Sequence, residues 1–205
     1  MNLLSIALPF AIVLLSLTIH EAAHAWSADR LGDPTARERG RLSLNPARHI
    51  DPIGTILLPL IAAYSGLPII GWAKPVPVDV RRLRRGRRDF MLVAAAGPAS
   101  NLLQALIASI VLRAITAGGA EYGLAANICV AYVVINLLLA FFNLIPVPPL
   151  DGGNVLAGLL PLSAEPILNM LRQYGFIILY ALMFTGVLDM VIEPPTRFFQ
   201  RILLP

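Results

Sequence analysis

Long apolar runs alternate with short polar junctions along this chain, and the junctions hold most of the charge. The first run is apolar all round and gains Glu, His and Asp only in its last turns. It predicts a helix over residues 3–29, stopped by Gly32-Asp33-Pro34. Residues 36–50 are mixed, with alternation at Arg41-Leu42-Ser43-Leu44, and predict a strand or hairpin near the membrane interface. An apolar stretch over 53–64 is short for a span and contains Pro59. Residues 65–80 are too rich in Pro and Gly for regular helix and predict an extended loop. Two long apolar helices are expected over 90–117 and 124–145, separated at Gly118-Gly119. The prolines between Asn143 and Gly153 interrupt helix again. A short helix over 154–161 and a last span over 166–192 complete the pattern.

Composition sharpens this picture. Hydrophobic residues make up 57% of the 205 and charged residues 14%, against about 45–50% and about 25% in an average soluble domain. A bilayer span takes about 20 apolar residues, so the spans use most of the chain. The expected fold is a single all-α polytopic domain over 1–205. It would be a bundle of about five to six transmembrane helices with a short membrane-associated β-hairpin or sheet near the active site. The pI of about 9.7 would suggest nucleic acid in a soluble protein. Here the basic residues between Arg30 and Arg88 lie between apolar runs, so membrane lipid is the expected partner and nucleic acid is not. Cys129 has no partner for a disulfide or a cysteine metal site.

Charge also bounds the topology. The cluster at 81–88 and the arginines at 30, 37, 39, 41 and 48 should both be cytoplasmic. Residues 51–80 then enter and leave on one side. Helix 90–117 goes out and helix 124–145 returns. The polar end of the first helix and the Asp151 loop therefore meet on the same side of the membrane.

The chemistry concentrates at those two places. His20-Glu21-Ala22-Ala23-His24 sets two imidazoles four residues apart on one helix face, where both can hold one Zn²⁺. Glu21 sits beside the first ligand and can act as general base towards the zinc-bound water. Ionisable groups are costly in a span, which favours a functional reading. A catalytic zinc usually has three protein ligands. Asp151 is the best third ligand, although a Leu-Asp-Gly-Gly stretch also suits a plain turn. His49 is its rival. Asn101 could hold the substrate carbonyl or make an interhelical hydrogen bond. Asn136 and Asn143 share that ambiguity. A metal-lined channel and a catalytically silent helix-binding protein are the competing classes. Internal inverted repeats would favour the channel, a missing Glu21 the silent protein, and the sequence shows neither.

Together these residues resemble the site-2 protease family, the intramembrane zinc metalloproteases of peptidase family M50. The resemblance rests on His20-Glu21-Ala22-Ala23-His24, Gly97-Pro98-Ala99-Ser100-Asn101, and Asn143 through Leu150-Asp151-Gly152-Gly153. Leu44-Asn45-Pro46, His49-Ile50-Asp51-Pro52 and residues 71–78 also look like its compact bacterial branch. That resemblance implies one zinc per chain held by His20, His24 and Asp151, with Glu21 as base and Asn101 in substrate positioning. It implies hydrolysis of peptide bonds in transmembrane substrate proteins at the cytoplasmic side of a bacterial inner membrane. A substrate helix would unwind and pair with an edge supplied by residues 36–50 or 65–80. The chain has no room for the PDZ or CBS domain of many relatives. A homo-oligomer is compatible with the sequence.

Overall fold

The structure is a computed structural model and describes residues 3–58, 61, 64, 73–117 and 123–205. It is helical. Helix α1 spans Leu3–Arg30, and a single turn, α2, spans Thr35–Glu38. Helices α3 (Arg87–Thr116) and α4 (Leu124–Asn143) are the long central pair. The short α5 (Asp151–Leu159) is followed by α6 (Glu165–Phe184) and α7 (Val187–Leu203). Four segments are long and apolar enough to cross a membrane: Ala7–Arg30, Arg87–Thr116, Leu124–Asn143 and Leu162–Phe184. Leu103, Ile107 and Ile110 on α3 are exposed, as lipid-facing positions of a span should be. The chain is a multi-pass membrane protein.

Helix α3 is the hub and packs against α1, α4 and α5. Its buried positions include Ala94, Gly97, Ala105 and Ala108, and Ala28 of α1 packs with its Val93. Small side chains let helix backbones approach closely where lipid removes the hydrophobic drive to associate.

Three expectations differ from the structure. The hairpin over 36–50 is absent: this stretch is α2, a turn and a 3₁₀ turn over Pro46–Arg48. Asn45 decides this locally, because its side chain accepts the Ala47 N–H and Pro46 starts the turn. Residues 65–72 of the other proposed edge lie outside the described residues. Residues 73–79 take no regular secondary structure and pair with no strand among the described residues. Pro75 and Pro77 remove two of the backbone donors that a ladder would need.

The last segment is the second difference. Gly186, at φ +74°, takes the left-handed conformation that glycine adopts most easily. It ends the span at Phe184 and turns the chain into α7. Third, the described residues hold four candidate spans instead of five to six.

Asp33 ties the end of α1 to the irregular segment 73–79. It is buried and accepts the N–H and hydroxyl of Thr35 and the N–H of Asp79, the last at 2.7 Å. Burial works against its charge. These bonds, with Arg82 nearby, outweigh burial and hold the carboxyl below the usual carboxylate range.

Candidate metal centre

Helical spacing brings His20 and His24 together one turn apart on α1. Both are buried, and their Nε2 atoms lie 3.0 Å apart. Asp151 arrives from a distant part of the chain. Its Oδ2 is 3.0 Å from His20 Nε2, and its Oδ1 is 3.3 Å from His24 Nε2. Ligand atoms of His20, Glu21 and His24 all lie within 4.8 Å of one another.

Asp151 is placed by an unusually tight loop. The prolines at 146, 148 and 149 keep residues 144–150 out of helix, and Asp151 then opens α5. A carboxylate in the first turn suits the positive end of the helix dipole. The helix begins three residues earlier than expected. The glycines allow the close approach: a Cβ on Gly152 would lie 2.2 Å from the Leu144 carbonyl oxygen, and one on Gly153 would lie 2.5 Å from Pro148 N. From behind, Gly175 of α6 meets the same loop, where a Cβ would sit 1.8 Å from the Pro148 oxygen. Ile145, Val147 and Leu150 bury their side chains with Leu179, Leu188 and Ile192. The loop is therefore clamped by α6 and α7.

Three observations test whether a cation fits. Four ligands at about 2.0–2.1 Å around an ion stand about 3.3–3.4 Å apart, close to the 3.0, 3.0 and 3.3 Å measured here. Asp151 Oδ2 is a buried oxygen with no hydrogen-bond partner. Gly97 of α3 leaves the space open, since a Cβ there would lie 2.4 Å from His24 Nε2 and 2.5 Å from His20 Nε2. The polarity agrees. His24 Nδ1 is 2.7 Å from the Val93 carbonyl oxygen, which can only accept. The neutral ring therefore carries its proton on Nδ1 and turns a lone pair on Nε2 towards Asp151. A lone pair facing a carboxylate calls for a cation between them.

Glu21 is buried beside this group and accepts the Val76 N–H at 3.1 Å. Arg41 donates to the Lys74 carbonyl oxygen, and Lys74 N–H donates to the His49 carbonyl oxygen at 2.8 Å. Segment 73–79 is thus pinned beside the carboxylate of Glu21. His49 itself is spent elsewhere: its Nε2 pairs with the Ser43 carbonyl oxygen, and it is not in the converging group.

Asn101, expected to hold substrate, has no exposed surface. Its Oδ1 meets His20 Nδ1 at 2.6 Å and its Nδ2 meets Asn136 Oδ1 at 2.8 Å, so the amide faces the protein. Asn143 donates to the Leu139 carbonyl oxygen within its own helix. Sequence reasoning missed Val76 and Gly175. Val76 carries the one backbone N–H within Pro75-Val76-Pro77, a signal that could have been read. Gly175 stands in an ordinary apolar run and gives no such signal.

Sequence comparison identifies the family. The model of peptidase family M50 matches residues 113–186, a stretch that holds Asp151 but not α1. Similarity over most of the chain supplies the rest. YwhC of Bacillus subtilis strain 168, which carries the name of a zinc metalloprotease, is 38% identical over 194 residues, covering 91% of this chain and 85% of that protein. Rip2 of Mycolicibacterium smegmatis, named likewise, is 32% identical over 177 residues, covering 86% of this chain and 66% of its own length. Rip2 of Mycobacterium tuberculosis H37Rv is 30% identical over the same extent. No solved structure matches significantly. With both halves of the centre spanned by such relatives, the chain belongs to peptidase family M50, the site-2 protease family, and is a zinc metalloendopeptidase.

Proposed function

We propose that this protein is an intramembrane endopeptidase that cuts transmembrane substrate proteins, with its zinc held by His20, His24 and Asp151 and with Glu21 as general base. The observation that carries the reading is the meeting of Asp151 with two imidazoles more than a hundred residues away, at 3.0 and 3.3 Å. When bound, zinc polarises the scissile carbonyl and makes water acidic enough to lose a proton near neutral pH.

The protein's own groups do the rest. Val76 N–H fixes one oxygen of Glu21 and leaves the other to take a proton from the attacking water. As the new C–O bond forms and the C–N bond breaks, Glu21 returns that proton to the leaving amine. His20, Glu21 and His24 are themselves buried, which limits the access of bulk water to the base.

Depth and orientation follow from neighbouring residues. Trp26 is 55% exposed, with the Arg30 guanidinium 5.3 Å over its ring. Such an aromatic–basic pair marks the lipid–water interface. His24 and His20 then lie about 3 and 9 Å along the helix from it, at a rise of about 1.5 Å per residue. The arginine cluster at 81–88 leads into α3 on the same side and supports a cytoplasmic orientation for it in a bacterial cell.

The test is Glu21→Gln in detergent-purified protein against a panel of single-span substrates. The variant should keep its zinc and lose cleavage. Cleavage at the wild-type rate would refute Glu21 as base, and cleavage of soluble proteins in preference to spans would refute the substrate class.

A further inference from the structure

Neutral histidine binds zinc through whichever ring nitrogen lacks the proton, so each ligand needs its tautomer fixed. For His24 one backbone carbonyl does this. For His20 the partner is Asn101, an amide that can present either its oxygen or its nitrogen. Something further must choose.

The choice can be followed through buried polar groups. The Tyr132 carbonyl oxygen can only accept, and it faces Asn136 Nδ2 at 3.0 Å. The same nitrogen meets Ser16 Oγ at 2.9 Å. Asn136 must therefore turn its Oδ1 the other way, towards Asn101 Nδ2 at 2.8 Å. Asn101 then has only its Oδ1 left for His20, at 2.6 Å. An amide oxygen cannot donate, so the proton of that bond belongs to His20 Nδ1. Nε2 is left bare and faces Asp151. Both asparagines have no exposed surface, so no bulk water can supply a substitute partner.

We infer that Asn136 is a positioning residue for the metal centre, transmitting the polarity of the Tyr132 carbonyl through Asn101 to fix the zinc-binding tautomer of His20. The inference rests on the metal reading given above. It assigns to α4, which supplies none of the proposed ligands, a share of the zinc affinity. Losing this oriented chain leaves Asn101 free to turn. Its NH₂ would then face His20 Nδ1 and favour the proton on Nε2, where it competes with zinc.

The experiment compares wild type, Asn136→Leu and Asn136→Asp by zinc affinity, measured by competition with a chromogenic chelator in detergent. Asn136→Leu should bind zinc about 10- to 100-fold more weakly, the usual loss when an outer partner of a metal ligand is removed. Asn136→Asp still offers an oxygen to Asn101 and should bind more tightly than Asn136→Leu. A role in packing alone predicts the reverse, because leucine is the better guest in an apolar bundle. ¹⁵N imidazole spectra of zinc-loaded wild type provide a readout independent of either variant's folding: His20 should carry its proton on Nδ1. A proton on Nε2, or equal zinc affinity in wild type and Asn136→Leu, overturns the inference while the metal reading stands. A wild type that takes up no zinc overturns both.

Discussion

Replacing Gly97 with alanine would put one methyl group where the zinc reading needs open space. The added Cβ would lie 2.4 Å from His24 Nε2, 2.5 Å from His20 Nε2 and 2.6 Å from His20 Cε1. Ordinary contact begins at 3.4 Å, so the rings or the helices must give by about 1 Å, a misplacement of the size that costs about 100-fold in rate. Neither ring can swing away freely, because the Nδ1 atoms are held by Asn101 and Val93. Separating α1 from α3 instead would cost about 1–3 kcal/mol, the usual penalty of overpacking. Gly97→Ala should therefore bind zinc weakly and cleave at roughly 1% of the wild-type rate or less. Zinc content by mass spectrometry and cleavage of a single-span substrate are the assays. A variant with full zinc and wild-type cleavage would show that the space beside the imidazoles is not where the ion sits.

Other perturbations separate the parts of the site. Val76→Pro removes the N–H that holds Glu21 and touches none of the proposed ligands, so zinc should stay bound while kcat falls about 10- to 100-fold, matching about 1.5–3 kcal/mol for a hydrogen bond to a charged group. Gly175→Ala forces a Cβ to within 1.8 Å of the Pro148 oxygen, and should lower the melting temperature in detergent and loosen zinc without touching a ligand. The Asp33 carboxyl is held below its ordinary value, which is about 3.9 in an unfolded chain. Its stabilising effect is then full above that pH and is lost as pH falls through the lower folded value. Asn at this position should flatten the acid-side fall of thermal stability, measured from about pH 6 to pH 3.

Helical periodicity made half of the proposed metal centre legible from sequence. Two histidines four apart must share a face, and nothing in the fold can separate them. The other half, Asp151, was legible through charge, which predicts both stretches on one side of the membrane, and through the resemblance, which chose the aspartate. What stayed hidden depends on contacts between distant segments. Gly175 and Asn136 do their work against partners that no local pattern announces. The hairpin misreading arose because four alternating residues, 41–44, outweighed a strong local signal, the Asn45-Pro46 turn start. The single last span was expected because apolar residues continue past Thr185-Gly186, while the turn depends on one glycine's backbone freedom. Asp151 was read as loop because the prolines before it were given too long a reach.

X-ray absorption at the zinc edge tests the proposed ligand set most directly. Wild-type protein should show one zinc per chain with two imidazoles and a carboxylate oxygen among its nearest neighbours, and Asp151→Ala should lose that oxygen or the metal. An unchanged zinc environment in Asp151→Ala would mean that the two halves of the chain do not share an ion.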